Sequence, residues 1–150
     1  MIFVCSRCKK EYGEEEAKWR CDCGGYLSCK REVSFKKEDI RPERFNMWRY
    51  DAAYPLKYEE LAVTYQEGMT PLAECPKAPC RLRIKMDQLM PTGSFKDRGT
   101  VMVVNYLLKR GAKRIVEDSS GNAGASVAGY CALGGGGFGG TAIPGRICRP

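Results

Sequence analysis

Lys96 is the residue of this 150-residue chain whose sequence setting best suits covalent chemistry. It lies in the segment P-T-G-S-F-K-D-R-G at positions 91–99, where Gly93 permits a tight turn and Ser94, three residues before Asp97, has the form of a helix start. In the first helical turn, unpaired amide groups and the positive end of the helix dipole disfavour a second positive charge and favour a nucleophilic amine. Such an amine forms a Schiff base with a carbonyl compound. An ordinary exposed lysine is the alternative interpretation.

A second segment, S-S-G-N-A-G at positions 119–124, follows a short apolar stretch and also opens a helix-like run. Its small residues let backbone amide groups approach a ligand closely, and the hydroxyl groups and the Asn122 amide add donors for a carboxylate, phosphate or phenolate oxygen. A serine- and glycine-rich turn with an N-cap is the alternative interpretation. The chain therefore offers one amine and one anion-binding turn at two neighbouring helix starts.

The elements expected around these two segments alternate between strand and helix. Residues 81–86 alternate polar and apolar side chains as a half-buried strand does, and residues 114–116 are the next expected strand. Apolar residues at helical spacing after Lys96 predict a helix that ends near Gly111, and residues 123–133 predict a second helix. This order with short connections predicts a parallel sheet, with both segments on the edge where its strands end.

Four cysteines near the N-terminus have a spacing typical of a metal site. They form two pairs about a dozen residues apart: Cys5, Cys8, Cys21 and Cys23. Four thiolates complete a closed tetrahedral zinc site of structural type, and in a reducing cytoplasm such pairs indicate metal ligands rather than disulfides. Because the second pair is C-x-C, Cys29 is an alternative ligand. Tyr12, Trp19 and Tyr26 are expected to cover the small core of this zinc ribbon.

The domain organisation expected from these features has four parts. A zinc ribbon occupies residues 1–32 and a connecting region 33–67. The start of the strand–helix domain that carries both segments occupies residues 68–133, and a glycine-rich tail occupies 134–150. In the connecting region we expect a short helix at 37–45, and aromatic residues that anchor the segment rather than stack on nucleic-acid bases. The tail has neither strand nor helix periodicity, which favours a truncated or frame-shifted product.

Composition limits the possible functions. The formal net charge is +7, but the lysines and arginines are scattered among acidic residues, which is weak support for nucleic-acid binding. The chain has no histidine to act as a general base. No apolar run approaches the length of a membrane span, and the apolar start is too short for a signal peptide. We therefore expect a cytoplasmic protein without a membrane partner.

The segments at 91–99 and 119–124 together resemble the fold-type II pyridoxal-phosphate enzymes, and within them the threonine synthases. E-G-M-T-P-L at 67–72 and W-R-Y at 48–50 add to this resemblance, which covers residues 1 to about 132. Met90 departs from it, because family members often have asparagine there. The implied fold class is α/β, part of a parallel sheet with helices preceded by a small zinc ribbon, and many threonine synthases resemble this arrangement.

The resemblance also implies roles for individual residues. Lys96 would carry pyridoxal phosphate covalently and act as the catalytic base, and Asn122 would bind the ring hydroxyl oxygen of the cofactor. The substrate carboxylate would be bound by the small residues around it: Ser119, Ser120, Gly121, Ala123 and Gly124.

The implied reaction converts the amino acid O-phosphohomoserine and water to threonine and phosphate, in a parent protein expected to be a homodimer. The enzyme alternatives are cysteate synthase and serine or threonine dehydratase. A zinc-ribbon nucleic-acid-binding protein is the alternative from another class, and we consider it the weaker one. A third possibility is that the 150-residue chain is an inactive fragment, and we expect it to lack turnover by itself.

Overall fold

The computed structural model describes residues 1–16, 18, 20–119 and 121–134, together with the backbone of residues 139–142. The chain divides into two compact units, Met1–Lys37 and Glu38–Pro150. Within the described part of the chain, no helix has both the length and the apolar character needed to cross a membrane.

The first unit contains a three-stranded antiparallel sheet. Strand β1 (Ile2–Cys5) lies in the middle, between β2 (Glu11–Gly13) and β3 (Leu27–Lys30). Phe3 stands opposite both Tyr12 of β2 and Cys29 of β3. A sheet this small buries little apolar surface, so another source of stability is needed.

The core of the first unit is built around two of the predicted metal ligands. Cys5, Tyr12 and Cys21 are buried, and Phe3 and Leu27 pack against them. The expected place of Tyr12 in this core is confirmed. The same expectation for Tyr26 is wrong, because 67% of its surface is exposed. Trp19 lies outside the described residues.

The second unit pairs its strands in two separate sheets. Strands β4 (Leu72–Glu74) and β5 (Arg83–Lys85) are antiparallel, whereas β6 (Arg114–Glu117) is parallel to β7 (Gly139–Ala142). The prediction that the strands before the two motif segments share one parallel sheet is therefore wrong for the described residues. The loop between β4 and β5 is short enough for the two strands to pair locally as a hairpin, closed by the amide of Cys75 donating to the Leu82 carbonyl at 3.0 Å.

Two observations correct the expected strands of this unit. The predicted strand 81–86 forms over Arg83–Lys85, but it is exposed rather than half-buried, with Leu82 43% and Ile84 45% exposed. Strand β7 lies in the tail, for which no regular structure was expected. A glycine-rich strand has no alternation of side chains to reveal it, and the truncation or frameshift origin of residues 134–150 stays a prediction.

Two helices follow the motif segments as expected. Helix α1 (Asp97–Lys109) ends before Gly111, whose φ of +76° is the conformation that favours glycine after a helix. Helix α2 is Asn122–Leu133. The helix predicted at 37–45 is wrong beyond its first turn, because only Lys37–Asp39 forms a 3₁₀ turn before Pro42, which has no amide hydrogen to continue it.

The core of the second unit lies between α1, α2 and the aromatic segment before them. Trp48 is fully buried in a 3₁₀ helix, Met47–Ala53, which is capped by the Asn46 side chain accepting from the Trp48 amide at 3.0 Å. Trp48 shares this core with residues of α1, β6 and α2: Val101, Val104, Ile115, Val127, Tyr130 and Cys131. The position of Trp48 agrees with the expected anchoring role of this aromatic segment.

Candidate functional site

Lys96 stands at the start of α1 with its side chain exposed. It is the N-cap residue, so the helix begins at Asp97, two residues later than a start capped by Ser94 would place it. Its carbonyl accepts from the Thr100 amide at 2.9 Å, and its amide donates to the Ser94 hydroxyl oxygen at 3.3 Å. The Lys96 ammonium nitrogen lies 4.8 Å from the centre of the Phe95 ring. The backbone of Lys96 is thus fixed while its amine remains accessible.

Asp97 does not form the predicted capping box with Ser94. Its side chain is fully buried and turns back to Thr92, accepting from the Thr92 amide at 2.8 Å and from the Thr92 hydroxyl. The Ser126 hydroxyl of α2 donates to the same carboxylate at 2.6 Å. The local motif rule failed here because the Thr92 donors of the preceding loop and the buried Ser126 hydroxyl of α2 bind the carboxylate instead.

The start of α2 lies against the turn that precedes it. A methyl group on Gly124 would come within 2.7 Å of the Ser119 carbonyl oxygen, so only glycine permits this close packing. The Gly121 amide donates to the Ser119 hydroxyl at 3.3 Å, and the Asn122 side chain is exposed. Ala123 is half-buried, and Ser120 lies outside the described residues.

The two motif segments are brought together through their helices rather than through a sheet edge. Ser126 lies one turn after Asn122 on α2, and its bond to Asp97 joins that helix to the residue following Lys96. A second contact lies one turn further along, where a methyl group on Gly129 would be 3.1 Å from the Thr92 methyl carbon. Lys96 and Asn122 therefore stand at the starts of two helices that are directly hydrogen-bonded.

The groups at these helix starts fit part of a pyridoxal phosphate molecule. A primary amine is the group that binds its aldehyde, and an exposed amide side chain beside helical N–H groups suits an anionic oxygen. A methyl group added to Gly93 or Gly121 would meet no atom within 4 Å, so there is open space beside both segments. The individual roles of Lys96, Asn122 and the turn residues stay predictions.

A salt bridge that the sequence analysis missed lies behind the lysine segment. Arg98 donates to both oxygens of Asp87, with Nε at 3.0 Å and Nη2 at 2.9 Å, and the Thr70 hydroxyl donates to Asp87 at 2.6 Å. Arg98 is the main cause that lowers the pKa of Asp87 to about 2. With Tyr54 and Lys85, these charged residues line an open depression of about 470 Å³. The arginine of the K-D-R-G sequence was the available signal for this pair.

Glu67, in the segment E-G-M-T-P-L, is a buried anchor rather than a ligand-binding group. Only 1% of its surface is exposed. It accepts from the Trp48 indole at 2.6 Å and from the Tyr130 hydroxyl at 2.8 Å. Burial and the hydrogen bond to Glu67 raise the pKa of Tyr130 above its ordinary value. Glu67 thus ties the loop before β4 to the core between the helices.

The four predicted metal ligands of the first unit form one cluster. The Sγ atoms of this set all lie within 4.8 Å of one another: Cys5, Cys8, Cys21 and Cys23. The described cysteines are free thiols, so the disulfide alternative is wrong for this set. Cys29 is exposed on β3 and is not part of the cluster, so the alternative ligand is also wrong.

The surroundings lower the pKa of two thiols of the cluster, Cys5 and Cys21. For Cys8 the backbone hydrogen bond from Lys10 lowers the pKa, but the neighbouring cysteine sulfurs outweigh it and raise the pKa to about 12. The Tyr12 hydroxyl, 2.9 Å from Cys21 Sγ, and the Cys23 amide lower the pKa of Cys21 to about 6. The amides of Arg7 and Cys8 both donate to Cys5 Sγ at 3.4 Å. Four close sulfur donors of this kind fit a thiophilic ion with tetrahedral preference.

Comparison with a family model places the motif segments in a known family. The model described as pyridoxal-phosphate dependent enzyme matches residues 63–138, about half of the chain. The matched region contains both Lys96 and the segment at 119–124.

Curated relatives extend the similarity toward the N-terminus. The chain is 35% identical over 147 residues to the threonine synthase of Methanocaldococcus jannaschii, which covers 90% of this chain and 36% of that protein. It is 34% identical over 140 residues to the threonine synthase of Methanosarcina acetivorans, and 40% identical over 90 residues to that of Mycobacterium leprae. These alignments cover 87% and 57% of this chain, and 34% and 25% of the respective relatives.

The chain therefore spans about a third of the length of the first two relatives. The resemblance expected from the two motif segments is confirmed. The matched half, with its lysine segment and its serine- and glycine-rich turn, shows that the chain belongs to the pyridoxal-phosphate-dependent enzyme family.

Proposed function

We propose that this chain is part of a threonine synthase, a carbon–oxygen lyase that converts O-phosphohomoserine and water to threonine and inorganic phosphate. The observation that carries the proposal is the Ser126–Asp97 hydrogen bond, because it joins the helix that begins at Asn122 to the residue following Lys96. Similarity to relatives named threonine synthase supports the choice of substrate.

Each residue of the two segments has a role in this proposal. Lys96 binds the cofactor aldehyde, and its amine, once released, takes a proton from the substrate and returns it. The Asn122 amide donates to the ring hydroxyl oxygen of the cofactor. The bound cofactor supplies an electron sink for the substrate carbons. The substrate carboxylate is bound by the turn: Ser119, Ser120, Gly121, Ala123 and Gly124.

The proposal includes a structural zinc ion held by the cysteine cluster. Four thiolates fill a tetrahedral site and leave no position for water, so the ion would stabilise the first unit without taking part in the reaction. Free thiols suit a reducing compartment, and we propose the cytoplasm as the location and a homodimer as the state of the whole enzyme. We propose that the 150-residue chain by itself binds the cofactor without completing the reaction.

Trapping the cofactor tests the role of Lys96. The chain is incubated with pyridoxal phosphate and reduced with borohydride, and the labelled peptides are identified by mass spectrometry. We expect the label on Lys96, its loss in Lys96→Arg and its retention in the control Lys113→Arg, which removes an exposed loop lysine. Equal labelling of many lysines, or an unchanged yield in Lys96→Arg, would contradict the proposal.

The substrate is tested on the same cofactor-loaded chain. O-phosphohomoserine is expected to change the visible absorbance at lower concentrations than phosphoserine or serine. A preference for phosphoserine or serine would favour another enzyme of the family. Salt-dependent oligonucleotide binding without any labelling of Lys96 would favour the nucleic-acid alternative.

Metal analysis tests the cysteine cluster. The purified chain is expected to contain roughly one zinc ion, as a closed four-thiolate site does. Cys21→Ser should lower this content, and Cys29→Ser is the matched control because Cys29 is exposed outside the cluster. Equal zinc loss in both variants would show that the cluster is not the site.

A further inference from the structure

We propose that Asp97 is a positioning residue that fixes the Lys96 amine relative to Asn122. It closes the loop at residues 92–97, here called the lysine loop, and attaches this loop to α2. The proposal rests on the proposed role of Lys96 as the cofactor-binding amine. Its new content is a role for three residues that are hydrogen-bonded to one another beside Lys96: Thr92, Asp97 and Ser126.

The first part of this device is the closure of the loop. The Asp97 carboxylate accepts from the Thr92 amide through Oδ2 at 2.8 Å and from the Thr92 hydroxyl through Oδ1. The residues between them form a turn that includes Gly93, whose φ is +81°. Because the carboxylate at one end of this turn binds the amide and the hydroxyl of Thr92 at the other end, the backbone of Lys96 cannot shift without straining these hydrogen bonds.

The second part is the attachment to α2. Ser126 is fully buried, and its hydroxyl donates to Asp97 Oδ1 at 2.6 Å. In a helix, residues four apart lie on the same face, so Asn122 stands one turn from this bond. The Thr92 methyl carbon lies against Gly129, where a methyl group would be only 3.1 Å away. The closed loop therefore contacts α2 at two successive turns.

The chemistry of Asp97 indicates more than a contribution to folding. It is 0% exposed, and among the described residues its carboxylate faces the neutral donors of Thr92 and Ser126 with no ion pair to a basic side chain. A buried carboxylate is costly unless donors satisfy it, so an apolar side chain would be the simpler way to pack this position. A carboxylate that orders the loop next to a reactive amine has a functional reason to be there.

The test uses variants that remove single contacts and leave Lys96 unchanged. Ser126→Ala removes the bond to α2, and Thr92→Val removes the loop hydroxyl while it keeps the methyl contact with Gly129. Thr92→Ser keeps the hydroxyl and is the conservative variant. Thr100→Val is the matched control, because it makes the same substitution at a buried threonine of α1 outside the loop.

Two measurements separate positioning from stability. The rate of borohydride-trapped labelling at Lys96 is expected to fall about tenfold in Ser126→Ala and Thr92→Val and to stay near wild type in Thr92→Ser and Thr100→Val. The visible circular dichroism of the bound cofactor, which reports a fixed orientation, should fall in the same two variants. Thermal unfolding identifies any variant that no longer folds. If either Ser126→Ala or Thr92→Val fails to fold, the other of these two variants decides the result.

The outcomes distinguish this proposal from the proposed function. Wild-type labelling rates and circular dichroism in folded Ser126→Ala and Thr92→Val would overturn the positioning role while Lys96 keeps its own. Equal loss in Thr100→Val would also overturn it, because the effect would then follow from stability. Absence of labelling at Lys96 in the wild-type chain would overturn both proposals.

Discussion

Replacing Glu67 with glutamine is expected to destabilise the second unit although the two side chains have nearly the same shape. The buried carboxylate receives the Trp48 indole at 2.6 Å on Oε1, and the Tyr130 hydroxyl at 2.8 Å and the Tyr65 amide at 3.0 Å on Oε2. The Thr64 hydroxyl adds a donor 3.1 Å from Oε1. Every neighbour is a donor, which a carboxylate satisfies and an amide cannot.

The magnitude follows from this geometry. A glutamine must direct its NH₂ group at one of the two sets of donors. The hydroxyls of Thr64 and Tyr130 can rotate and accept from it, but the N–H groups of Trp48 and Tyr65 cannot, so either orientation leaves one buried N–H unsatisfied. An unsatisfied buried donor costs about 1–3 kcal/mol, and loss of the charged acceptor adds about 1 kcal/mol. We expect a loss of about 2–4 kcal/mol in the free energy of unfolding.

The assay is urea unfolding followed by tryptophan fluorescence in a Trp19→Phe background, so that Trp48 is the single tryptophan. Glu74→Gln is the matched control, because its side chain is 69% exposed and pairs with the exposed Arg83. The control should change stability by less than about 0.5 kcal/mol. A Glu67→Gln variant as stable as this control would refute the argument that the buried donors need a carboxylate.

Three further predictions concern other buried or strained positions of the second unit. The pKa of Asp87 is lowered from 3.8 to about 2, mainly by Arg98, so this stabilisation is complete above about pH 4 and is lost as the pH falls toward 2. Asp87→Asn should therefore lower stability at pH 7 by about 1 kcal/mol and flatten its pH dependence in acid, as measured by urea unfolding. Gly68→Ala should lower the free energy of unfolding by more than about 2 kcal/mol, because φ is +109° and the added methyl would lie 2.5 Å from the Met47 nitrogen. Gly93→Ala has a φ of +81° but open space around the added methyl, so in the same assay the loss should be about 1–2 kcal/mol. Asn105→Ala should cost about 3 kcal/mol in thermal unfolding, because the amide bridges the Val63 backbone to α1 with bonds of 2.7–3.0 Å.

The elements that the sequence predicted correctly are those with a local signal. Apolar periodicity indicated α1, and the helix-like run after the turn at 119–124 indicated α2. The conformation of Gly111 agrees with its predicted place after the first helix. The spacing of four cysteines likewise predicted a cluster, because the sheet places the end of β1 and the turn after it beside the segment that leads into β3. In each case the neighbours along the chain determine the structure.

The predictions that failed depend on partners distant in the sequence. The strand before the lysine segment pairs with β4 and not with β6, and no periodicity within Arg83–Lys85 records which partner it takes. Asp97 has the spacing of a capping residue, but Ser126, 29 positions later, provides a buried donor that the local rule does not consider. The exclusion of Cys29 from the cluster is also set by strand pairing, which places it opposite Phe3 on the sheet.

In the second unit, buried polar side chains at three positions hold loops against α1 and α2 by hydrogen bonds. Glu67 ties the loop before β4 to Tyr130 of α2, Asn105 of α1 holds the backbone at Val63, and Asp97 fastens the lysine loop to Ser126. Each is a side chain no more than 2% exposed whose polar atoms are bound across the helix surface. Because a buried polar group that loses its partner is penalised, each contact specifies one arrangement of its loop more strictly than apolar packing would. The relative placement of Lys96 and Asn122 therefore depends on the pair of helices, and it can be set without a continuous sheet beneath them.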